Sequence, residues 1–438
     1  MAEAVESAPT SPAPAPPVGL LRRLLSATEV DVRLVGMLVA LAIIWVGFGM
    51  ASNGLFLSPR NLWNLSVQTS TIAILANGMV LIIVSRNIDL SVGSLLGFLG
   101  MIMAVTQAEI VPSWFGDNVP MLWLIAIIVG LIAGAVLGLL QGFIIAYLQV
   151  PAFIVTLAGL LVWRGAAYLV TTGRTVAPLE VTYQWFGGGA DGSIGPTASW
   201  VVAGIACVGI IASLLVGRRQ RQRFNFPLRP MWAEALLGVI GCVAVLGAVA
   251  VLNAYPMPIN LAKRYAAEHN IPWPASGELF FAFGISVPVI IAILSALVMA
   301  FVSKRTRFGR YVFAIGGNPE AAVLGGINVR WIIMQTYVVM GVLCAIGGVV
   351  ATARLNAATA GLGTNYELYT IAAVVIGGTS FAGGIGTISG AMLGALVMQS
   401  LQSGMELLGI DTPLQNVIIG VVLVIAVGID TWYRRRTA

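Results

Sequence analysis

Charged residues are scarce in this sequence. Only 9% of its 438 residues are Asp, Glu, Lys or Arg, against roughly 25% in a soluble domain. Hydrophobic residues make up 58%, and the mean hydropathy is +0.95. A helix needs about 20 apolar residues to cross a bilayer, and uncharged runs recur along the whole chain. The composition therefore excludes an ordinary soluble enzyme and predicts an all-α polytopic membrane protein.

Lysine and histidine are also rare. Neither of the two lysines, Lys263 and Lys304, lies in a G-x-x-x-x-G-K-[ST] phosphate loop, so the chain has no P-loop ATPase motif. One histidine, His269, cannot supply a multi-histidine metal site and gives no convincing basis for a catalytic triad. The three cysteines lie in apolar runs and are too widely spaced for a zinc motif. We expect no catalytic residue, metal or cofactor in this chain.

Apolar segments predict about twelve transmembrane or re-entrant helices. Their approximate ranges are 34–52, 67–84, 90–107, 121–147, 151–171, 199–217, 232–253, 280–302, 331–352, 368–381, 386–402 and 413–431. Three of them, 90–107, 368–381 and 386–402, fit re-entrant or broken helices as well as full crossings, since irregular backbone is tolerated where protein buries it.

Basic residues predict the orientation. With the N-terminus in the cytoplasm and alternating sides, the cytoplasmic segments receive 17 of the 23 basic residues and the outside five. Such a bias is typical of membrane topology and places both termini in the cytoplasm. It also explains the net charge of +6 without a nucleic-acid partner.

The chain divides into three parts. Residues 1–30 are rich in Ala and Pro and predict a disordered cytoplasmic N-terminus. Residues 31–432 form the transmembrane domain, which includes a helix pair at 199–253 and a cytoplasmic loop at 303–330. Residues 433–438 form a basic cytoplasmic tail.

Glycine is abundant, and its spacing is informative. Four of the 51 glycines lie four residues apart in the fourth span (Gly130, Gly134, Gly138, Gly142), and Gly386, Gly390 and Gly394 repeat the spacing later. Small residues at this interval let helices approach closely in lipid. The pattern favours glycine-rich helix packing over a role in a pore.

The basic loop Lys304–Arg330 contains a punctuated short helix. Asn318-Pro319-Glu320 is a helix start: Asn can cap the free N–H groups, Pro fits the first position, and an acid suits the positive end of the dipole. Gly325-Gly326 then ends the helix after about two turns. A short helix between two spans has no lipid face to bury. We interpret it as a docking element for another protein.

Ionisable residues within the spans are few, although ion-coupled carriers need them. Arg164 is the one clear case, and it either locks helices by pairing with a carbonyl or acid, or faces an aqueous path. Asp89 either caps the third span together with Ser91 or lies on such a path. Because so few ionisable residues give little support for proton coupling, we expect any energy for transport to come from another subunit.

Five motifs, in order, resemble one family: the permease subunits of bacterial ribose/xylose/galactose-type ABC sugar importers, most closely those of the xylose type. The resemblance covers about Phe56 to Asp430. The motifs are S-R-N-I-D-L-S-V-G-S (Ser85–Ser94), V-P-A-F-I-V-T-L-A-G (Val150–Gly159) with W-R-G (Trp163–Gly165), G-R-T-V (Gly173–Val176), R-T-R-F-G-R-Y-V-F-A-I-G-G-N-P-E-A-A (Arg305–Ala322) and V-I-G-G-T-S-F-A-G-G-I-G-T-I-S-G-A (Val375–Ala391). The chain departs from the family's usual G-G-I-D-L-S, since Arg86 and Asn87 replace two glycines.

The resemblance implies a permease in the bacterial inner membrane that acts as a homodimer. Its partners would be an ATPase subunit with two nucleotide-binding domains, which binds ATP and Mg, and a periplasmic sugar-binding protein. The loop helix would be the coupling helix that contacts the ATPase. Its candidate residues are Gly317, Asn318, Pro319, Glu320, Ala321, Ala322 and Gly325. The substrate would be a monosaccharide; the pair at 199–253, shared with xylose-type permeases, favours D-xylose or a related pentose.

A sugar path needs hydroxyl and amide groups rather than many charges. The candidates are Asn87, Asp89, Ser91, Ser94, Thr156, Arg164, Thr379 and Ser380, and for each a cap, a backbone hydrogen bond or packing explains the residue equally well. A stand-alone secondary sugar carrier is the alternative function. A membrane enzyme acting on lipid-linked substrates would need clustered acids or histidines, which the sequence does not show.

Overall fold

The apolar runs form long helices. The computed structural model describes residues 28–29, 31–116, 119–268, 270–274 and 279–437. The fifteen helices found there are α1 (Val32–Ala51), α2 (Pro59–Val84), α3 (Val92–Phe115), α4 (Leu122–Ala146), α5 (Ala152–Thr171), α6 (Gly195–Arg223), α7 (Met231–Asn253), α8 (Ile259–Glu268), α9 (Val287–Arg305), α10 (Arg307–Gly317), α11 (Pro319–Leu324), α12 (Val329–Leu355), α13 (Tyr366–Ile376), α14 (Ile388–Leu407) and α15 (Thr412–Thr437). Apart from 28–29, the segment predicted as disordered lies outside the described residues, as does His269.

Nine of the helices in these ranges are long and apolar enough to cross a membrane: α1 to α7, α9 and α12. The prediction of a polytopic helical membrane protein is confirmed, but the count of twelve spans is not. Segment 368–381 forms α13, which has 11 residues and is too short to cross. Segment 386–402 lies mostly in α14, which has 20 residues but is not apolar enough to be one of the nine, and the apolar part of α15, Thr412–Ile425, is short.

Several predicted spans were too short because hydropathy ends where charges begin, whereas a helix need not. Helix α2 starts eight residues before the predicted span, at Pro59, and Ser58 caps it by accepting a hydrogen bond from the Asn61 N–H at 3.4 Å. Helix α6 continues through Arg223, since arginine is a good helix former that places its charge in water. Arg218–Arg223 therefore belong to α6.

Helix α2 is the centre of the bundle. Every residue from Ser70 to Val84 is buried, and this stretch is predominantly apolar on all sides, which is typical of a fully buried helix. Its one amide in this stretch, Asn77, donates to Ser295 Oγ of α9 at 2.9 Å. Helices α9, α12, α13 and α14 surround it. The pair α6 and α7 packs mainly on itself at the periphery.

Glycine brings backbones into contact, as the spacing predicted. A Cβ on Gly134 would lie 3.0 Å from the Gly341 carbonyl carbon of α12, and one on Gly138 would lie 2.9 Å from that of Tyr337. On the later stripe, Gly394 packs against Ala373 of α13 in the same way. Gly386 precedes α14 and is not part of the helical stripe.

The two ends of the bundle differ. Arg86, the α4–α5 connection and the segment 377–387 lie at the end that carries α11, here called the docking end. Glu29 also belongs there, because it precedes α1 and forms ion pairs with Arg221 at 2.6 Å and Arg229 at 3.0 Å. These arginines, the Arg221 hydrogen bond first, lower the pKa of Glu29 to about 2. Basic segments predicted on one side of the membrane thus meet at one end.

Two helices start inside the bundle. The segment 85–91 turns back from the docking end, so that α3 begins at Val92, beside Cys344 in the middle of α12. The segment 356–365 enters from the opposite end, and α13 begins next to this point, where Gly93 packs against Gly363. Broken helices whose N-termini lie at mid-depth are a recurring way of building transporter substrate sites.

Candidate functional site

Three capped helix starts follow one another at the docking end. Thr306 Oγ1 accepts from the Gly309 N–H of α10 at 3.2 Å, Asn318 Oδ1 from the Ala321 N–H of α11 at 3.0 Å, and Asn328 Oδ1 from the Trp331 N–H of α12 at 3.1 Å. Side-chain oxygens at these positions satisfy N–H groups that have no partner within the helix. The predicted helix start and its end at Gly325 are confirmed; helix α10, read from the sequence as loop, was missed.

Helix α11 presents one face to its own chain and the other outward. Ala322 is 5% exposed and packs into the main core cluster. Glu320 and Ala321 are exposed, and so are Val323 (59%) and Leu324 (89%). Burial of a nearly uncovered leucine by a partner is favourable in free energy, and the capped helix presents this leucine in a fixed position. Of the predicted docking residues, Ala322 anchors the helix instead of facing outward.

Arg86 connects this region to α2. Its Nε donates to the Gly316 carbonyl at 2.8 Å and an Nη to the Gly317 carbonyl at 2.9 Å. Both carbonyls belong to the last turn of α10, whose negative dipole end attracts a cation. The adjacent Val84 carbonyl accepts from the Gly384 N–H at 2.9 Å. The docking helices are thereby tied to the segment that leads to Asp89.

A polar cluster surrounds the start of α3. Asp89 Oδ1 accepts from the Ser91 N–H at 2.8 Å and from Ser91 Oγ at 2.6 Å. Ser91 Oγ in turn accepts from Gln141 Nε2 of α4 at 2.9 Å, and Ser94 Oγ donates to the Ser91 carbonyl at 2.9 Å. Thr156 Oγ1 of α5 donates to the carbonyl of Ile88, the residue before Asp89, at 3.4 Å. The geometry accounts for Asp89 as a local cap of the turn that precedes α3.

Arg164, which also belongs to α5, contacts the segment that precedes α13. Its Nη1 donates to the carbonyls of Ala360 and Leu362 at 3.1 and 3.0 Å, which supports the interpretation that it pairs with carbonyls to hold helices together. The segment 356–365 is thereby fixed to α5.

The other predicted path residues lie elsewhere. Asn87 lines a cavity of about 640 Å³ at the docking end, next to Val323 of α11. Thr379 and Ser380 are fully buried in the turn between α13 and α14, where Ser380 Oγ accepts from the Ala382 N–H at 3.1 Å. The structure therefore does not bring the eight candidates together in one site.

Three residues around the start of α3 were not among the sequence candidates: Gln141, Trp163 and Glu367. Gln141 is the one amide side chain in α4, which is a signal that could have identified it. Trp163 stood in the W-R-G motif, and its ring stacks on Phe98 with centroids 5.8 Å apart. Glu367 is not among the candidates, because nothing local shows that α13 starts inside the bundle.

A bundle of membrane-crossing helices with two broken helices in its interior is typical of membrane transport proteins. A family model described as "Branched-chain amino acid transport system / permease component" matches residues 61–427. The chain belongs to this permease family and is a multi-pass membrane protein.

Sugar transport permeases are among its relatives. The chain is 37% identical over 408 residues to the xylose transport system permease protein XylH of Haemophilus influenzae, covering 93% of this chain and 98% of the relative. It is 35% identical over 403 residues to the Escherichia coli XylH, with 92% of each covered. Identity to the E. coli ribose import permease protein RbsC is 31% over 401 residues, 91% of this chain and 92% of the relative. No solved structure matches the chain. The resemblance found from the motifs is confirmed.

Proposed function

We propose that the protein is the membrane-spanning permease of an ATP-driven importer of a monosaccharide, most closely D-xylose or a related pentose. A separate ATPase subunit supplies the energy and binds ATP and Mg, and a periplasmic binding protein delivers the sugar. Two copies of the chain form the gate in the inner membrane. The chain itself performs no catalytic step.

The exposed face of α11 is the observation that carries this proposal. Val323 and Leu324 are uncovered although both are large and apolar, and Asn318 and Gly325 fix the helix that presents them. Its neighbour α10 is held by Arg86. A force applied to α11 by a partner is thus transmitted towards the segment 85–91 and the start of α3.

The sugar assignment rests on the relatives. The proteins that match with 37% and 35% identity are named for xylose, whereas the one named for ribose matches with 31%. The peripheral pair α6 and α7 corresponds to the region in which the chain resembles xylose-type permeases.

Reconstitution tests the proposal. Proteoliposomes containing the chain, its ATPase and its binding protein should accumulate D-xylose on addition of ATP, and omission of either partner should stop uptake. Uptake driven by an ion gradient without the ATPase would instead identify the protein as a secondary carrier.

Labelling tests the orientation. In a background without native cysteines, Leu324→Cys should react with a membrane-impermeant thiol reagent only from the cytoplasm. Ile259→Cys on α8, which is also exposed (59%), should react only from the periplasm. The reverse pattern would exclude a docking role for α11 towards a cytoplasmic ATPase.

A further inference from the structure

Two buried polar atoms near the start of α3 have no hydrogen-bond partner in the described part of the chain. They are Trp163 Nε1 and Glu367 Oε2. Trp163 is 9% and Glu367 7% exposed. Burying a donor or an acceptor without a partner is costly, and such atoms in a native structure call for an explanation. One is a donor and the other an acceptor.

The two atoms flank the same helical turn. A Cβ on Gly159 would lie 3.3 Å from Trp163 Nε1 and 3.1 Å from the Ser91 Cβ. Two residues after Ser91, Gly93 packs directly against Glu367 Oε2, and a Cβ there would also lie 3.2 Å from the Glu367 N–H nitrogen. The absence of side chains at Gly93 and Gly159 is what brings these groups so close to α3.

Charge is distributed unequally around this turn. Arg164 and Glu367 interact electrostatically, yet among the described residues no ion pair joins them; Arg164 instead donates to carbonyls of the segment 356–365. Within the described ranges, Trp163 Nε1 therefore remains an unpartnered donor and Glu367 Oε2 an unpartnered acceptor.

We propose that Trp163 and Glu367 each bind a hydroxyl group of the sugar as it passes the start of α3. One hydroxyl can accept a hydrogen bond from Trp163 Nε1, and another can donate one to Glu367. An inorganic cation would suit the carboxylate but not the indole N–H, which only donates, and an anion would be repelled by the carboxylate. Neutral polyols therefore fit both groups. This inference rests on the proposed function and adds the residues that contact the substrate.

Two conservative variants remove one group each. Trp163→Phe removes the N–H and keeps a ring to stack on Phe98, and Glu367→Gln keeps the shape of the side chain and removes the charge. Trp45→Phe is the matched control, because Trp45 Nε1 already donates to Ser400 Oγ at 3.0 Å in another part of the bundle. Membrane level and co-purification of the ATPase show whether each variant folds.

The readout is uptake of D-xylose and of each of its monodeoxy analogues by proteoliposomes with the same ATPase and binding protein. The ratio of variant to unaltered chain cancels the binding protein's own preference. We expect Trp163→Phe to slow D-xylose uptake about fivefold, which corresponds to the loss of one neutral hydrogen bond. We expect Glu367→Gln to slow it about tenfold or more, which corresponds to the loss of one charged hydrogen bond. For each variant the loss should vanish for the analogue that lacks the hydroxyl bound by the altered side chain, whereas Trp45→Phe should show no such dependence.

The outcomes separate the two levels of the proposal. If the unaltered chain with both partners takes up no D-xylose, the proposed function fails and this inference with it. If it does transport D-xylose and both variants transport it equally fast, only the inference is overturned. The inference is also overturned if the variants slow D-xylose and every deoxy analogue by one common factor, since that is the signature of a purely structural role.

Discussion

Arg86 offers a direct test of how docking is linked to the membrane interior. The side chain joins the end of α2 to the last carbonyls of α10, and it does so from a left-handed backbone conformation with a φ of 64°, in which glycine is the unstrained choice. Replacing Arg86 with Ala removes both hydrogen bonds. Replacing it with Gly also removes the strain, so the fold should tolerate that change.

The magnitude follows from the exposure of the contacts. A hydrogen bond to a charged group contributes about 1.5–3 kcal/mol when it is buried. One of the two bonds is partly buried and the other is exposed, and solvent weakens exposed charge interactions strongly. We therefore expect about 1.5 kcal/mol for the pair, or roughly a tenfold shift in the population with α10 held against α2.

The assay is the amount of sugar transported per ATP hydrolysed in proteoliposomes. Both Arg86 variants should lower this ratio by up to about tenfold, while the ATPase still co-purifies, because the exposed face of α11 is unchanged. Arg310→Ala is the control. It removes a charge from α10, the helix that Arg86 holds, but among the described residues the Arg310 side chain donates only locally, to the Arg305 carbonyl. Unchanged coupling in both Arg86 variants, or an equal loss in Arg310→Ala, would refute the reasoning.

Three further predictions concern docking and packing. Glu320→Arg and Ala321→Asp, both on the exposed side of α11, should abolish ATPase association and uptake but not membrane insertion; normal transport by both would remove the docking role. Asn318→Ala should lose about 1 kcal/mol of capping and weaken ATPase binding in a titration about fivefold, whereas Asn318→Asp should not; equal binding by the two would contradict this. Gly138→Ala should destabilise the protein by about 1–3 kcal/mol, because the added Cβ would meet the backbone of α12. Its Tm in detergent should be lower than that of Gly209→Ala, the control, where nothing lies within 4 Å of the added Cβ. Equal Tm values for the two variants would argue against the packing.

Local signals in the sequence sufficed for the docking element and the glycine packing. The cap, the proline and the terminating glycines around Asn318 act within a few residues, so the helix start and end that they predict are the ones the structure shows. The i, i+4 glycines similarly specify one helix face. Helix α10 carried a readable amphipathic pattern in Phe308, Val312 and Ile315, but the basic residues around it favoured a loop.

The interior site could not be predicted from local pattern. Hydropathy reports how long an apolar run is but not the depth at which a helix begins. The sequence therefore left open whether 90–107 and 368–381, which form α3 and α13, are broken helices or full crossings. The contact of Gly93 with Glu367 joins residues more than 270 positions apart. No sequence motif next to either residue indicates that the two are in contact. Glu367 and Trp163 became interpretable only when packing placed them around one turn.

The backbone contact between α4 and α12 has a mechanical consequence. Gly134 and Gly341 face each other so closely that a Cβ on either would lie about 3 Å or less from the other's carbonyl carbon. Sliding one helix along the other by part of a turn would drive main-chain atoms together. We therefore expect the two helices to move together as one rigid unit, and we expect movement in a transport cycle at the non-helical segments 85–91 and 356–365 beside them.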